Sequence, residues 1–266
     1  MKLIINIITA FLLVCSVQAC NLISAAGFSS HGQPIKKVDS QLTSTSSNTQ
    51  IVDHSQWDQL LKQHVQPNGL VNYQGFSANL PQLEAYLKML SKQNPNQDWS
   101  VQELLAYYIN LYNAATIRLI VENYPVNSIK DIDSPWTKGR VAIGDKMLSL
   151  GGIENGILRK MNEPRIHFAI NCASISCPKL LNEAYTASKI NEQLNTVTKE
   201  FIDSTENEIS ENSARLSSIF DWYKNDFKVN GKTDVIGYIN QFSDIKIDPN
   251  ANISFKNYNW KLNSSN

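Results

Sequence analysis

Apolar residues recur at helical spacing in two stretches before residue 100. Trp57, Leu60 and Leu61 share one side of a segment that Asp53 or Ser55 can cap and that runs to about Val65. Leu80, Leu83, Leu87 and Leu90 do the same between 79 and 92. Both patterns predict amphipathic helices. Between them Gly69 ends a turn, and Leu70 to Tyr73 reads as a short strand. Ser100-Val-Gln-Glu103 has the form of a capping box and opens the longest helix, to about Asn123. Leu104, Leu105, Tyr108, Ile109, Leu111, Tyr112, Ala115, Ile117 and Leu119 leave that helix almost no wet side, which places it at the centre of a domain. Its polar exceptions Glu103, Tyr107, Asn110 and Asn113 fall at steps of three to four, down one stripe.

Beyond residue 140 the periods shorten. Val141 to Ile143 and Lys146 to Ser149 flank Gly144-Asp145, as in a hairpin. A helix over 153–161 follows, and residues 165–171 alternate as a half-buried strand would. Helices are expected near 188–203, 217–227 and 234–242, with short strands around 206–209, 213–216 and 252–255. No regular βαβ rhythm joins them. The expectation is an α+β fold: a single domain with a buried central helix packed on a small mixed or antiparallel sheet.

The first nineteen residues read differently. Lys2 precedes an apolar run from Leu3 to Val17, broken only by Asn6, Thr9 and Ser16, and Val17-Gln18-Ala19 has the small-residue character of a cleavage site. This is the pattern of an exported signal peptide. Cys20 stands directly after the expected cut, and Val-Gln-Ala-Cys resembles the lipobox whose cysteine is acylated; cleavage leaving a free Cys20 is the alternative. Residues 20–50 are rich in Ser, Thr, Asn and Gln and suit a tether, lipid-anchored or free. Residues 51–266 remain for one globular domain. The expected location is the cell envelope, membrane-anchored and facing the periplasm or the cell exterior, with the membrane as a partner through the lipid. The expected ligand is an envelope substrate or protein partner of unknown identity. Lys and Arg number 24, Asp and Glu 24, and no basic cluster of five appears, so nucleic acid is not an expected partner.

Candidate chemistry concentrates in residues 164–178, which hold the chain's last histidine and its last two cysteines. On a strand, Ile166, Phe168, Ile170 and Cys172 would face the core, while Arg165, His167, Ala169 and Asn171 would form a polar face. Cys177 precedes Pro178 in a loop from which its thiol could turn toward His167. A thiol becomes a nucleophile when a neighbouring imidazolium lowers its pKa, and an amide such as Asn171 or Asn110 can orient the imidazole. Cys177 as nucleophile, His167 as base and Asn171 as orienting residue therefore make a candidate cysteine-dependent hydrolase or acyl transferase. The competing reading is a non-catalytic envelope binding or scaffold module in which Cys172 and Cys177 form a disulfide. Redox exchange and a metal site on His167, Cys172, Cys177 and Glu154 are further alternatives; the His-x4-Cys-x4-Cys spacing is not a recognised zinc pattern, so no metal and no cofactor is expected. Asn110 and Asn113 either tie the central helix to neighbouring backbone or line a polar pocket. Glu154 and Arg159 pair poorly with each other at this spacing and are expected to reach Arg165 or a carboxylate elsewhere. His31, His54 and His64 are expected in solvent. Walker, Gly-x-Gly-x-x-Gly, His-Glu-x-x-His and Gly-x-Ser-x-Gly motifs are lacking.

Five ordered segments resemble the domain-of-unknown-function family 547, found in bacterial exported proteins and in plant proteins. They are Tyr108-Ile-Asn-Leu-Tyr-Asn-Ala-Ala-Thr-Ile117, Ile153-Glu-Asn-Gly-Ile-Leu-Arg159, Pro164 to Pro178, Ile219-Phe-Asp-Trp-Tyr-Lys-Asn-Asp-Phe227 and Tyr258-Asn-Trp-Lys-Leu-Asn263. The resemblance implies signature roles for Asn110, Asn113, Glu154, Arg159, Arg165, His167, Cys172, Cys177 and Trp222. It implies no reaction. Tyr108 stands where the family usually carries Trp, and Asn259 where it usually carries Asp.

Overall fold

A computed structural model describes residues 29–39, 42–43 and 51–265. The expected signal peptide and Cys20 lie outside these residues. The fold is α+β, as its patterning implies. Helices Ser55–His64, Leu80–Ser91 and Val101–Asn123 stand where the periodicity puts them, to within one or two residues.

The Val101–Asn123 helix is buried on nearly every face. Ser100 caps it by accepting the Glu103 N–H at 3.1 Å. Only this half of the capping box forms, because the Glu103 carboxylate accepts the Val52 N–H at 2.9 Å instead. Burial raises that carboxyl group's pKa, against the lowering effect of backbone N–H donors from Val52 and Ile51. Pro125 cannot continue the helix beyond Asn123. Its main packing partners are other helices: Leu80–Ser91, the short helix Tyr73–Ala78, and Ile190–Ile202. The sheets are small and stand outside that helical core. Val141–Ile143 and Lys146–Leu148 form the expected hairpin. Ser213–Leu216 pairs antiparallel with Glu208–Ile209 and parallel with Asn252–Phe255, so this sheet is mixed. Lys228–Val229 and Lys232–Thr233 form a further hairpin.

Three expectations meet different outcomes. Leu70 to Tyr73 is no strand: Val71 makes isolated bridges to Val65 and Ser264, and Tyr73 opens a helix capped by the Asn72 side chain. The 153–161 stretch is a wide π-helical turn over Gly152–Ile157 followed by a 3-10 turn over Leu158–Met161. Most consequential, residues 164–168 form a 3-10 helix rather than a strand. Pro164 presets the first turn, the Glu163 carboxylate accepts the Arg165 N–H at 3.2 Å, and Ile166 and Ala169 donate back to Glu163 and Ile166. Residues 165–171 are all buried, so their alternation carried no inside–outside information.

Part of the segment expected to be a tether is docked. Pro34 and Leu42 are buried, Val38 N–H donates to Met161 O at 2.8 Å, and Tyr108 Oη donates to Pro34 O at 3.3 Å. A Cβ on Gly156 would come within 2.7 Å of the Ser29 backbone, so that glycine permits the approach. His54 and His64 are buried too, 3% and 6% exposed, contrary to their expected solvation.

Candidate functional site

Two asparagines of the central helix fix the backbone around the signature segment. Asn110 donates to Tyr185 O at 2.8 Å and accepts from Tyr185 N at 3.0 Å. Asn113 donates to Ala169 O at 3.0 Å and accepts from Asn171 N at 2.8 Å. Each amide is held by backbone at both its nitrogen and its oxygen, which is the tying role. Asn171 in turn donates to Pro178 O at 2.8 Å and accepts from Ala173 N at 2.8 Å, closing the loop that carries both cysteines. Ala173 takes a left-handed conformation, φ 59°, inside that loop.

The expected common polar face of Arg165, His167 and Asn171 does not form, because a 3-10 turn sends successive side chains three ways round. Arg165 pairs with Glu163 at 2.6 Å and donates to Asn191 and Asn195. His167 turns the other way. Its Nε2–H donates to Asp226 Oδ2 at 2.8 Å, and its ring stacks on Tyr223 with centroids 4.1 Å apart. Arg159 grips the same carboxylate at 2.6 and 3.0 Å, which is the distant acid its position called for. Burial alone would raise the Asp226 carboxyl, but hydrogen bonds from His167 and Arg159 hold it well below the usual carboxylate range.

The histidine's orienting residue is therefore Asp226, not Asn171 or Asn110, and no hydrogen bond joins its ring to either sulfur among the described residues. The Cys177–His167 pair expected from sequence is not formed.

The sulfurs instead bond to each other. Cys172 and Cys177 are free, half-buried thiols with Sγ atoms 3.0 Å apart. Cys172 N–H donates to Cys177 Sγ at 2.9 Å, and Tyr258 Oη and Ser174 Oγ each lie 3.3 Å from Cys172 Sγ. Ser174 Oγ–H donates to Tyr258 Oη at 3.1 Å, which leaves the tyrosine proton for Cys172. A hydrogen bond from Cys177 and others from Ser174 and Tyr258 lower the Cys172 thiol below its ordinary value of 9.0, against the raising effect of burial. Burial pushes the Cys177 thiol well up. As thiols, Cys172 donates its Sγ–H to Cys177 Sγ, and the Cys177 Sγ–H points to Ile170 O, 3.9 Å away. Cys172 is not the buried end of an apolar strand face, as the alternation implied, but the more acidic thiol of a pair.

Both sulfurs and the His167 ring line one cleft of about 350 Å³. The π-helical turn brings Glu154 into its wall, where Tyr223 Oη donates to Oε1 at 2.6 Å and Tyr112 Oη to Oε2 at 3.4 Å. Trp136, Trp222, Tyr258 and Trp260 supply most of the aromatic lining. Asp226, Tyr223, Tyr112, Tyr258 and Ser174 were not singled out from sequence. Asp226 and Tyr223 fall in the 219–227 segment and Tyr258 in the 258–263 segment, so the resemblance already contained that signal. Among the described residues no group of three or more His, Cys, Asp and Glu is placed to hold a metal ion.

No curated protein and no solved structure matches this chain. Residues 96–202 match the family model described as "Protein of unknown function, DUF547". The matched span holds the central helix, the Glu154 turn and both cysteines, while the cleft's far wall, 219–227 and 258–263, lies beyond it. Over residues 96–202, about two fifths of its length, the chain is thus similar to the DUF547 family.

Proposed function

We propose that the cleft is a dithiol centre for thiol–disulfide exchange, with Cys172 as attacking sulfur and Cys177 as resolving sulfur. The observation that carries this reading is the 3.0 Å contact between two free thiols lining one cleft, of which Cys172 is the more acidic. The Cys172 thiolate attacks one sulfur of a substrate disulfide; the other leaves as a thiolate and takes a proton from solvent. Cys177 then loses its proton and attacks Cys172, which releases the second substrate thiol. The substrate disulfide is reduced by two electrons, and the protein dithiol is oxidised to a Cys172–Cys177 disulfide. A thiol reductant restores it.

A hydrolase or acyl transferase in the same cleft would need a base within reach of a sulfur, and the sulfurs' hydrogen bonds run to each other, Ser174, Tyr258 and backbone rather than to His167. Exchange needs a resolving thiol in contact, which is present. Export, acylation of Cys20 and an envelope location belong to the same proposal, since an exported dithiol meets disulfide-bearing proteins there. Mass analysis of the mature protein tests the anchor: an unmodified Cys20 at the N-terminus would rule it out.

The central test uses the full chain, reduced and then mixed with a small disulfide. Wild type should lose two hydrogen atoms in mass and yield a peptide linking Cys172 to Cys177. Cys177→Ser should accumulate a mixed disulfide on Cys172, and Cys172→Ser should react far more slowly. Equal reactivity of both single variants, or inert thiols in wild type, would overturn the proposal.

A further inference from the structure

Three aromatic rings of the cleft lining, Trp222, Tyr258 and Trp260, are in mutual contact. Trp222 is 48% exposed, and its ring stacks on Trp260 at 5.9 Å with an interplanar angle of 17°. Tyr258 touches both, with centroids 4.9 and 4.5 Å away. The domain leaves the Trp222 ring half in water beside the partly buried Tyr258 and Trp260, although its core buries other aromatic side chains fully. The platform is also tied to the sulfur. The ring that packs on Trp222 and Trp260 carries the hydroxyl that lies 3.3 Å from Cys172 Sγ. A ligand sulfur in contact with Cys172 would therefore have its neighbouring groups about one tyrosine length from the platform.

Charge narrows the ligand further. Among the described residues no Lys or Arg side chain lines the cleft, and its one carboxylate is Glu154. Two cations lie over lining rings: the exposed Lys130 Nζ sits 5.3 Å from the Trp260 ring, and Arg159 lies over Tyr223 while paired with Asp226. An acidic small-molecule disulfide would meet the Glu154 carboxylate inside the cleft, where no Lys or Arg side chain lines the wall. The volume of about 350 Å³ lies within the range of clefts that seat a small ligand or one extended segment, about 300–1,000 Å³, and is far too small for a folded domain.

We infer that the substrate is a cysteine of an extended or unfolded polypeptide, present as a disulfide, with an apolar or aromatic side chain next to it that seats on Trp222, Tyr258 and Trp260. This specificity rests on the dithiol reading above. It makes the cleft selective for polypeptide disulfides with apolar flanks, such as a misfolded chain exposes, over acidic low-molecular-weight ones.

Three symmetrical peptide disulfides with matched leaving groups test it: those of acetyl-Phe-Cys-amide, acetyl-Gly-Cys-amide and acetyl-Glu-Cys-amide, each mixed with the full-length reduced protein. The readout is the rate of appearance of the Cys172 adduct in Cys177→Ser, quenched by alkylation and followed by mass. The Phe peptide should react about three- to tenfold faster than the Gly peptide, which is the worth of one aromatic contact, and the Glu peptide slowest. In Trp222→Ala/Cys177→Ser the Phe-to-Gly ratio should fall toward one; Trp222 is half in solvent, so the change is compatible with folding. Equal rates for Phe and Gly, or a fastest reaction with Glu, would overturn the inference while leaving the dithiol reading in place. No adduct from any peptide would overturn both.

Discussion

The two halves of the 164–178 segment treat their polar groups in opposite ways. From Arg165 to Asn171 each polar side chain is paired within the fold: Arg165 by Glu163 and two asparagines, His167 by Asp226, Asn171 by Pro178 O and Ala173 N. From Cys172 to Cys177 the sulfurs bond to each other and to Tyr258, at the edge of an open cleft. The first half holds and the second presents. Residue type alone does not make this distinction, since histidine is usually the reactive partner and here it is clamped. What separates the halves is whether a group's hydrogen-bonding capacity is spent within the fold.

The sharpest way to break the contrast is to remove a clamp. Asn113→Ala leaves Ala169 O and the Asn171 N–H without their partners in a buried site, at about 1–3 kcal/mol for each group. A loss of about 4 kcal/mol is expected, read as a shift in urea midpoint. Cys172→Ser should change stability by less than about 1 kcal/mol, because its contacts open to the cleft. A small loss for Asn113→Ala would mean the first half is not a clamp.

Acid offers a graded version. His54 is buried with Nε2 unpartnered and its Nδ1 2.7 Å from Tyr86 Oη, and desolvation lowers its pKa from 6.5 to about 4. The unfolded chain therefore takes a proton first as pH falls, and stability should drop by up to about 3 kcal/mol between pH 6.5 and 4. Asp226 follows lower down. Its folded pKa is depressed, so its contribution is complete above the ordinary carboxyl value of 3.8 and is lost as pH falls toward the folded pKa. A urea-midpoint profile against pH should show the His54 loss first, and Asp226→Asn should remove only the lower part. Loss of the upper part in Asp226→Asn would place the acid sensitivity in the clamp instead.

The buried His54 and His64 also show how much of the structure is legible in the sequence. Long helices were legible because their apolar period is enforced over many turns, as in Leu80 to Leu90 and the all-apolar central helix. The 165–171 alternation misled because period two has meaning only when one face meets solvent, and here both faces are buried. His64 continues the stripe of Trp57, Leu60 and Leu61, and His54 caps the same helix, so both are buried by position although their residue type points to solvent. At the site, the residues of the 164–178 segment were found as a group, but their partners were not. Asp226 and Tyr258 stand 59 residues after His167 and 86 after Cys172, and nothing local links a side chain to a partner that far along the chain. Arg159 shows the limit most clearly: its need for a distant acid could be inferred, but not which acid.

A smaller change tests the presenting half. Tyr258→Phe removes a hydrogen-bond donor from Cys172 while keeping the ring on Trp222 and Trp260. One such bond is worth about 1 kcal/mol, so alkylation of Cys172 at neutral pH should slow about fivefold, with the rate rising at higher pH than in wild type. An unchanged rate would mean that Cys177 alone sets the acidity of Cys172.

Asn259→Asp, which restores the acid usual in the family, should do least of all. Asn259 is exposed, and its side-chain oxygen accepts the Lys261 N–H at 3.1 Å, a bond that an aspartate oxygen makes equally well. Its backbone does the joining: Asn259 N–H donates to Ser176 Oγ at 3.0 Å, and Ser176 N–H donates back to Asn259 O at 3.3 Å. This pair of bonds ties the tail that carries Tyr258 and Trp260 to the loop that carries the cysteines. Since the backbone is the same in both residues, stability should change by less than about 0.5 kcal/mol and the pH dependence of Cys172 alkylation should not move. A shift of that profile to higher pH would show that a charge at 259 reaches the sulfurs. The presenting half would then extend into the tail by its side chains as well as its backbone.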